Sequence, residues 1–71
     1  LHYHPNCEEV LYVISGRGLH SLDEQHVELV SGSTIRIRTG VTHNLENIGD
    51  ETLVCLIAFN SGDRQTVFLN D

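Results

Sequence analysis

The sequence predicts an all-β domain with little or no helix. Val, Ile, Leu and Thr are prominent among its side chains, and residues of this kind favour strands. Apolar or alternating runs of five to eight residues are separated by turn signals, and no segment sustains the period of 3.6 residues that marks a helix. The predicted strands are residues 9–15, 18–22, 26–30, 34–38, 42–47, 52–59 and 65–69.

The first three strands are joined by short turns. Residues 9–15 contain a continuous apolar run, so we expect this strand to be covered on both faces. A turn beginning at Gly16 ends it, and residues 18–22 form the next strand. The polar residues 23–25 make a tight turn into the strand at 26–30.

The remaining four strands differ in their apolar pattern. Residues 34–38 alternate between isoleucine and polar side chains, which is typical of a half-buried strand. After the short strand at 42–47 and a loop around Gly49, residues 52–59 form the most apolar run of the chain. We expect that strand to be central or buried on both faces. Residues 65–69 supply the last strand.

With 71 residues, the chain is expected to form a single domain over residues 1–71. So small a domain has a limited core and often depends on a metal, a disulfide or a partner subunit. Strands that are apolar on both faces need two covers, of which one is the interior of the domain. The second is predicted to be the sheet of another copy, so we expect a homodimer.

Charge excludes two classes of partner. The formal net charge is −6, and only four residues are Lys or Arg, so neither nucleic acid nor an anionic membrane surface is expected to bind. No apolar run approaches the roughly 20 residues of a membrane span, and no segment resembles a signal peptide. A cytoplasmic location is therefore predicted.

Cys7 and Cys55 are expected to be free thiols, with Cys55 buried in an apolar strand.

Two histidines at the start of the chain are separated by one residue. In an extended strand, residues i and i+2 point to the same face, so His2 and His4 direct two imidazoles towards one point. Glu9 follows five residues later, and its carboxylate is suited to complete a metal site with mixed nitrogen and oxygen ligands.

These residues belong to two longer motifs. The first occupies residues 2–16 and reads His2-x-His4-x4-Glu9-x6-Gly16. The second occupies residues 32–47 and reads Gly32-x5-Arg38-x-Gly40-x2-His43-x3-Asn47. Together they resemble the two sequence motifs of the cupin superfamily, and the 15 residues between them resemble the spacing of small single-domain cupins. The resemblance implies a small cupin-like β-barrel or jelly-roll sandwich.

The resemblance also implies a ligand set. By position in the motifs, the metal ligands are His2, His4, Glu9 and His43, with Glu8 as the alternative carboxylate. Three imidazoles and one carboxylate suit a divalent transition metal, namely Mn, Fe, Ni, Cu or Zn. The motif glycines and Asn47 match residues with roles in turns. No catalytic side chain beyond the ligands is identified.

Several functions agree with such a site. The first hypothesis is a metal-binding cupin that acts as a dioxygenase, isomerase or lyase on a small polar substrate. The second is a non-catalytic module that binds a sugar or another small ligand, and the third is a metal that only stabilises the fold. Fold alone does not choose among these functions.

Two features depart from the cupin pattern. Arg38 occupies the position of the motif proline, which either loosens the turn or places a cation near the pocket. Only Leu1 precedes His2, so we expect the barrel to be short of strands at its N-terminal side, with the wall completed by a neighbouring copy.

Other polar residues receive simpler interpretations. His20 and His26 flank the polar turn and are predicted to be solvated hairpin residues. Arg36 and Arg38 could bind an anionic substrate, but surface ion pairs are the favoured interpretation. Tyr12 is predicted to pack in the core or in an interface.

Overall fold

In the described part of the chain, eight β-strands form two antiparallel sheets. The structure is a computed structural model and describes residues 1–69. In chain order the strands are β1 (His2–Tyr3), β2 (Glu9–Ser15), β3 (Gly18–Leu22), β4 (Gln25–Leu29), β5 (Thr34–Ile37), β6 (His43–Asn47), β7 (Val54–Phe59) and β8 (Val67–Phe68). No helix occurs within these residues, which agrees with the predicted all-β class. Consequently, none of them belongs to a helix able to span a membrane.

The two sheets divide the strands unequally. The five-stranded sheet has the order β4-β3-β6-β1-β8, and the three-stranded sheet has the order β5-β2-β7. Strands β2 and β3 have the predicted bounds, whereas the other five predicted strands differ by one or two residues at one or both ends. Strand β1 pairs with β6 so that His2 lies opposite His43, which places two predicted ligands side by side.

The core lies between the sheets and is small. Its buried cluster consists of Leu11, Val13 and Leu29, and partly buried residues of β5, β6 and β7 pack against it. Along β2, buried and exposed residues alternate, because only one face of the strand contacts the other sheet. Within one chain only the inner face of β2 is covered: Val10 and Tyr12 are exposed on the outer face, for which the sequence predicts the sheet of another copy as the cover.

Strand β7 does not have the central position that was one of its two predicted placements. It pairs with β2 on one side only and forms an edge of the three-stranded sheet. Its side chains are accordingly accessible, and Leu56 is 63% exposed. Apolar content reports what a strand can pack against, whereas its position in the sheet depends on which other strands are present.

The turn after β2 requires glycine at Gly16. This residue has φ +92°, a left-handed conformation that side chains rarely adopt. A Cβ atom there would lie 2.9 Å from both the Cα atom of Leu53 and the carbonyl oxygen of Thr52. The motif glycine thus permits the chain that precedes β7 to approach the end of β2.

Asn47 has the turn role that the resemblance implies. Its side-chain amide donates to the carbonyl of Glu51 at 2.9 Å, and its Oδ1 accepts from the amide of Gly49 at 3.0 Å. The loop between β6 and β7 is thereby closed by a single side chain.

The two cysteines are both free thiols. Cys7 is buried, whereas Cys55, which was predicted to be buried, is partly buried and packs against the core cluster. Burial is still sufficient to raise the pKa of the Cys55 thiol.

Candidate metal centre

Four polar side chains from both sheets meet at the open end of the core. His2 on β1 and His43 on β6 belong to the five-stranded sheet, and Glu9 begins β2 in the three-stranded sheet. His4 lies on the segment that crosses from one sheet to the other. The pairing of β1 with β6 and the crossover after β1 therefore explain how ligands distant in sequence come together.

The three imidazoles form a compact cluster. Each of His2, His4 and His43 offers one nitrogen, and these atoms all lie within 4.8 Å of one another. The ring centroids of His2 and His43 are 4.2 Å apart, and both rings lie 5.1 Å from that of His4. His4 and His43 are buried, whereas His2 is partly exposed and closes one side of the cluster.

Glu9 is the carboxylate beside this cluster. Its side chain is buried, with Oε1 3.2 Å from Nε2 of His4 and 3.5 Å from Nε2 of His43. The alternative, Glu8, points away from the cluster and forms a two-pronged ion pair with Arg36 on the outer surface. The geometry thus distinguishes the two adjacent glutamates, because neighbouring residues of a strand point to opposite faces.

Hydrogen bonds on the far side of two rings fix their orientation. Nδ1 of His43 lies 2.9 Å from the carbonyl oxygen of Val41, and Nδ1 of His4 lies 3.0 Å from that of Gln65. A carbonyl only accepts, so each Nδ1 must carry the proton that it donates. In the neutral rings the lone pair is then on Nε2, which is the atom that faces Glu9.

Several hydrogen-bond acceptors therefore face one another at this centre, and no positive charge from the described residues lies between them. Two imidazole lone pairs and a carboxylate oxygen face one another, and Nε2 of His43 has no hydrogen-bond partner within residues 1–69. Such an arrangement is unfavourable in a buried site unless a proton or a metal cation lies between the acceptors. The donor set and its orientation therefore fit a transition metal.

The pKa values of the clustered groups are shifted because these groups lie close together in a buried site. Burial opposes ionisation of Glu9, but the nearby imidazoles of His43 and His4 outweigh it and lower the pKa of that carboxyl. Burial likewise opposes protonation of His43, and the hydrogen bonds and charge of its neighbours outweigh it and raise the pKa of that ring. For His2, burial and then the nearby His43 and His4 lower the pKa.

His20 lies in the same region, which corrects its interpretation as a solvated hairpin residue. It is only 1% exposed, and its ring stacks on His43 with centroids 5.7 Å apart and planes 11° from parallel. Its Nδ1 has no hydrogen-bond partner among residues 1–69, and burial followed by repulsion from His43 lowers its pKa. The alternation of side chains along β3 could have indicated this burial, because Gly18 and His20 are two residues apart and share the inward face of the strand. His26 is exposed, as predicted.

A cavity of about 240 Å³ opens beside the cluster. Besides the histidines and Glu9, its walls include apolar Leu45 and Phe59 and polar Arg64 and Thr66. The hydroxyl of Thr66 lies 3.2 Å from Nδ1 of His4, so the segment before β8 contacts both a ring of the cluster and the cavity. Sequence reasoning did not identify Arg64 or Thr66, because neither belongs to a motif.

The two arginines of the strand at 34–38, for which surface ion pairs were the favoured interpretation, lie outside this cavity. Arg36 is paired with Glu8, as the ion-pair interpretation predicts. Arg38, which replaces the motif proline, borders a separate cleft beside Asp23 and Glu24 and not the cavity of the histidines. The arginine substitution therefore adds no cation to the candidate metal centre.

Comparison with known proteins places this centre in context. The family model described as "Cupin domain" matches residues 1–59, which include both histidine motifs. An uncharacterized protein of Methanocaldococcus jannaschii is 43% identical over 56 residues, covering 79% of this chain and 45% of that protein. The protein of Streptomyces cyaneus named polyketide synthase CurC is 38% identical over 50 residues, covering 70% of this chain and 32% of that protein.

A solved structure shows the same fold. The crystal structure of a protein designated a sugar phosphate isomerase, from Acidithiobacillus ferrooxidans, superposes with a TM-score of 0.71 and 33% sequence identity. The match covers 79% of this chain and 36% of that one. This chain thus spans less than half the length of these relatives.

Proposed function

Because this chain belongs to the cupin domain family, we propose that it is a metal-binding cupin with one divalent transition metal in its interior. The proposed ligands are His2, His4, His43 and Glu9. The observation that carries the proposal is the convergence of imidazole nitrogens on the buried Oε1 of Glu9, with two rings oriented by backbone carbonyls. Oriented, deprotonated nitrogen and oxygen donors are what such a metal requires.

The side chains around the centre have separate tasks. The carbonyls of Val41 and Gln65 hold two rings in the tautomer that presents Nε2. Phe59 contacts His4 edge-on, with ring centroids 5.2 Å apart, and restricts the access of water on that side. A bound ion would supply a Lewis acid or an oxygen-binding centre to a ligand in the cavity.

The proposed ligand is a small polar molecule, since the cavity of about 240 Å³ is lined by both polar and apolar groups. Of the reactions that the sequence leaves open, isomerisation has support from the likeness to the protein designated a sugar phosphate isomerase. The likeness covers only 36% of that protein, so dioxygenase and lyase chemistry remain alternatives for the whole protein.

We expect the bound metal to stabilise the fold as well, whichever reaction the protein catalyses. Among residues 1–69 the buried side chains include four polar ones, His4, Glu9, His20 and His43, beside five apolar ones. Uncompensated polar groups in so small a core reduce stability, and an ion bound only by the folded state would raise it.

Calorimetric titration tests the proposal. Chelator-treated protein is titrated with Mn²⁺, Ni²⁺ or Zn²⁺, and the expected stoichiometry is one ion per chain for at least one of them. His43→Gln should abolish this binding, whereas His26→Gln should retain it, because His26 is an exposed residue outside the cluster. Equal binding by both variants would contradict the proposed site.

A further inference from the structure

Arg64 and Arg38 are the two arginines without an ion-pair partner within residues 1–69, and of these two Arg64 is the one that lines the cavity beside the histidines. Two other arginines are neutralised, since Arg17 pairs with Glu28 and Arg36 pairs with Glu8, both at 2.6 Å. Within residues 1–69, Arg64 has no ion-pair partner, and its guanidinium carbon lies 4.7 Å from the centroid of Phe59. Stacking on an aromatic ring holds a guanidinium in place while its N–H donors stay available.

The position of Arg64 connects it to the candidate metal centre. Arg64 and Phe59 both line the cavity beside the histidines. Phe59 in turn contacts the ring of His4. One aromatic side chain therefore separates the unpaired guanidinium from a proposed metal ligand, and the cavity extends between them.

We infer that Arg64 recognises an anionic group of the ligand, so that the ligand carries a carboxylate or phosphate besides the atoms that meet the metal. This inference rests on the proposed function. A chain with a formal net charge of −6 repels small anions, and a cation at the cavity offsets that repulsion where the ligand enters. The planar fork of arginine matches the paired oxygens of a carboxylate or phosphate.

The expected effect is moderate, because Arg64 is exposed and water screens its charge. An exposed ion pair contributes up to about 1 kcal/mol, which corresponds to a preference of about fivefold. Partial enclosure by the cavity increases this, so we expect a preference of about five- to tenfold for a ligand with the additional anionic group.

Lactate and malate form a matched pair of probes. Both have the same 2-hydroxy acid group, and malate has one further carboxylate. Their dissociation constants are measured by calorimetry on protein loaded with the metal that it binds most tightly. The wild-type protein should bind malate about five- to tenfold more tightly than lactate, and Arg64→Gln should bind the two equally.

Arg38→Gln is the control, because it removes the same charge from an exposed arginine outside the cavity and should retain the preference for malate. Arg64→Lys should keep only part of the preference, since lysine retains the charge and lacks the planar fork. Equal binding of lactate and malate by metal-loaded wild type, or a preference that survives in Arg64→Gln, would overturn this inference alone. Failure of the wild type to take up metal would overturn the proposed function and this inference with it.

Discussion

Replacement of Glu9 by glutamine separates the proposed ligand set from its alternative. The substitution keeps the shape of the side chain and removes its charge, and Oε1 is the atom within 3.5 Å of both His4 and His43. Altering a group that contacts metal ligands typically lowers metal affinity by 10- to 100-fold. Since Glu9 is itself a proposed ligand, we expect Glu9→Gln to be near the upper value, which corresponds to about 2.7 kcal/mol of binding free energy.

The stability of the metal-free protein should change much less on replacement of Glu9 by glutamine. Loss of a hydrogen bond to a charged group costs about 1.5–3 kcal/mol, while removal of a buried carboxylate relieves the cost of its desolvation. These contributions have opposite signs, so the free energy of unfolding without metal should change by no more than about 1–2 kcal/mol. A loss of metal affinity in a protein of nearly unchanged stability would then be attributable to the ligand.

Glu8→Gln is the matched control. It removes the same charge one residue away, from a carboxylate that contacts Arg36 on the outer surface. Its cost in stability should be at most about 1 kcal/mol, and metal affinity should be unchanged. Affinities are measured by competition with a chelator of known strength. Normal affinity in Glu9→Gln, or a loss of affinity in Glu8→Gln, would refute the assignment.

Three further predictions concern pH, backbone geometry and assembly. The pKa of His20 is lowered from 6.5, so the unfolded chain binds its proton more readily and this residue contributes a loss of stability to metal-free protein as pH falls below 6.5. In urea titrations at several pH values, His20→Gln should lose less stability than the wild type as the pH falls. An unchanged pH dependence would show that His20 is not its source. Gly16→Ala should destabilise by about 3 kcal/mol through strain and contact, whereas Gly40→Ala, which meets no atom within 4 Å, should cost about 1–2 kcal/mol; equal losses would contradict this. The homodimer predicted from the sequence should use the outer face of the three-stranded sheet, where Leu56 is exposed. Leu56→Glu should therefore be monomeric in light scattering, and a monomeric wild type would refute the predicted dimer.

Motif spacing predicted the fold because each spacing reflects a local backbone requirement. The resemblance to cupins is confirmed by the family match and by the solved structure with the same fold. Gly16 lies in a left-handed turn that admits the chain before β7, and Asn47 closes the loop after β6. Requirements of this kind involve few atoms, so a short sequence pattern records them faithfully.

The grouping of the candidate ligands was predictable for a similar reason. His2 and His4 are related by strand parity, and the structure brings both to the ring of His43 with Glu9 alongside. Their assignment as metal ligands stays a prediction. His20 was interpreted as solvated from its position near a polar turn, and only the structure shows that it shares the inward face of β3 with Gly18.

Features that depend on distant elements were not predictable. Strand β7 is apolar enough for a central position, yet it is an edge strand because no described strand pairs with its other side. Arg64 lies outside every motif, and its stacking on Phe59 arises only when the segment after β7 folds back over the cavity. Tertiary placement decides both cases, and local sequence carries little information about it.

The most direct measurement is an anomalous difference map from crystals of the protein grown with Mn²⁺. The account predicts one strong peak per chain, bonded to the imidazole nitrogens of His2, His4 and His43 and to the carboxylate of Glu9. Absence of a peak at this centre under saturating Mn²⁺, or a peak bonded to Glu8 in place of Glu9, would contradict the account.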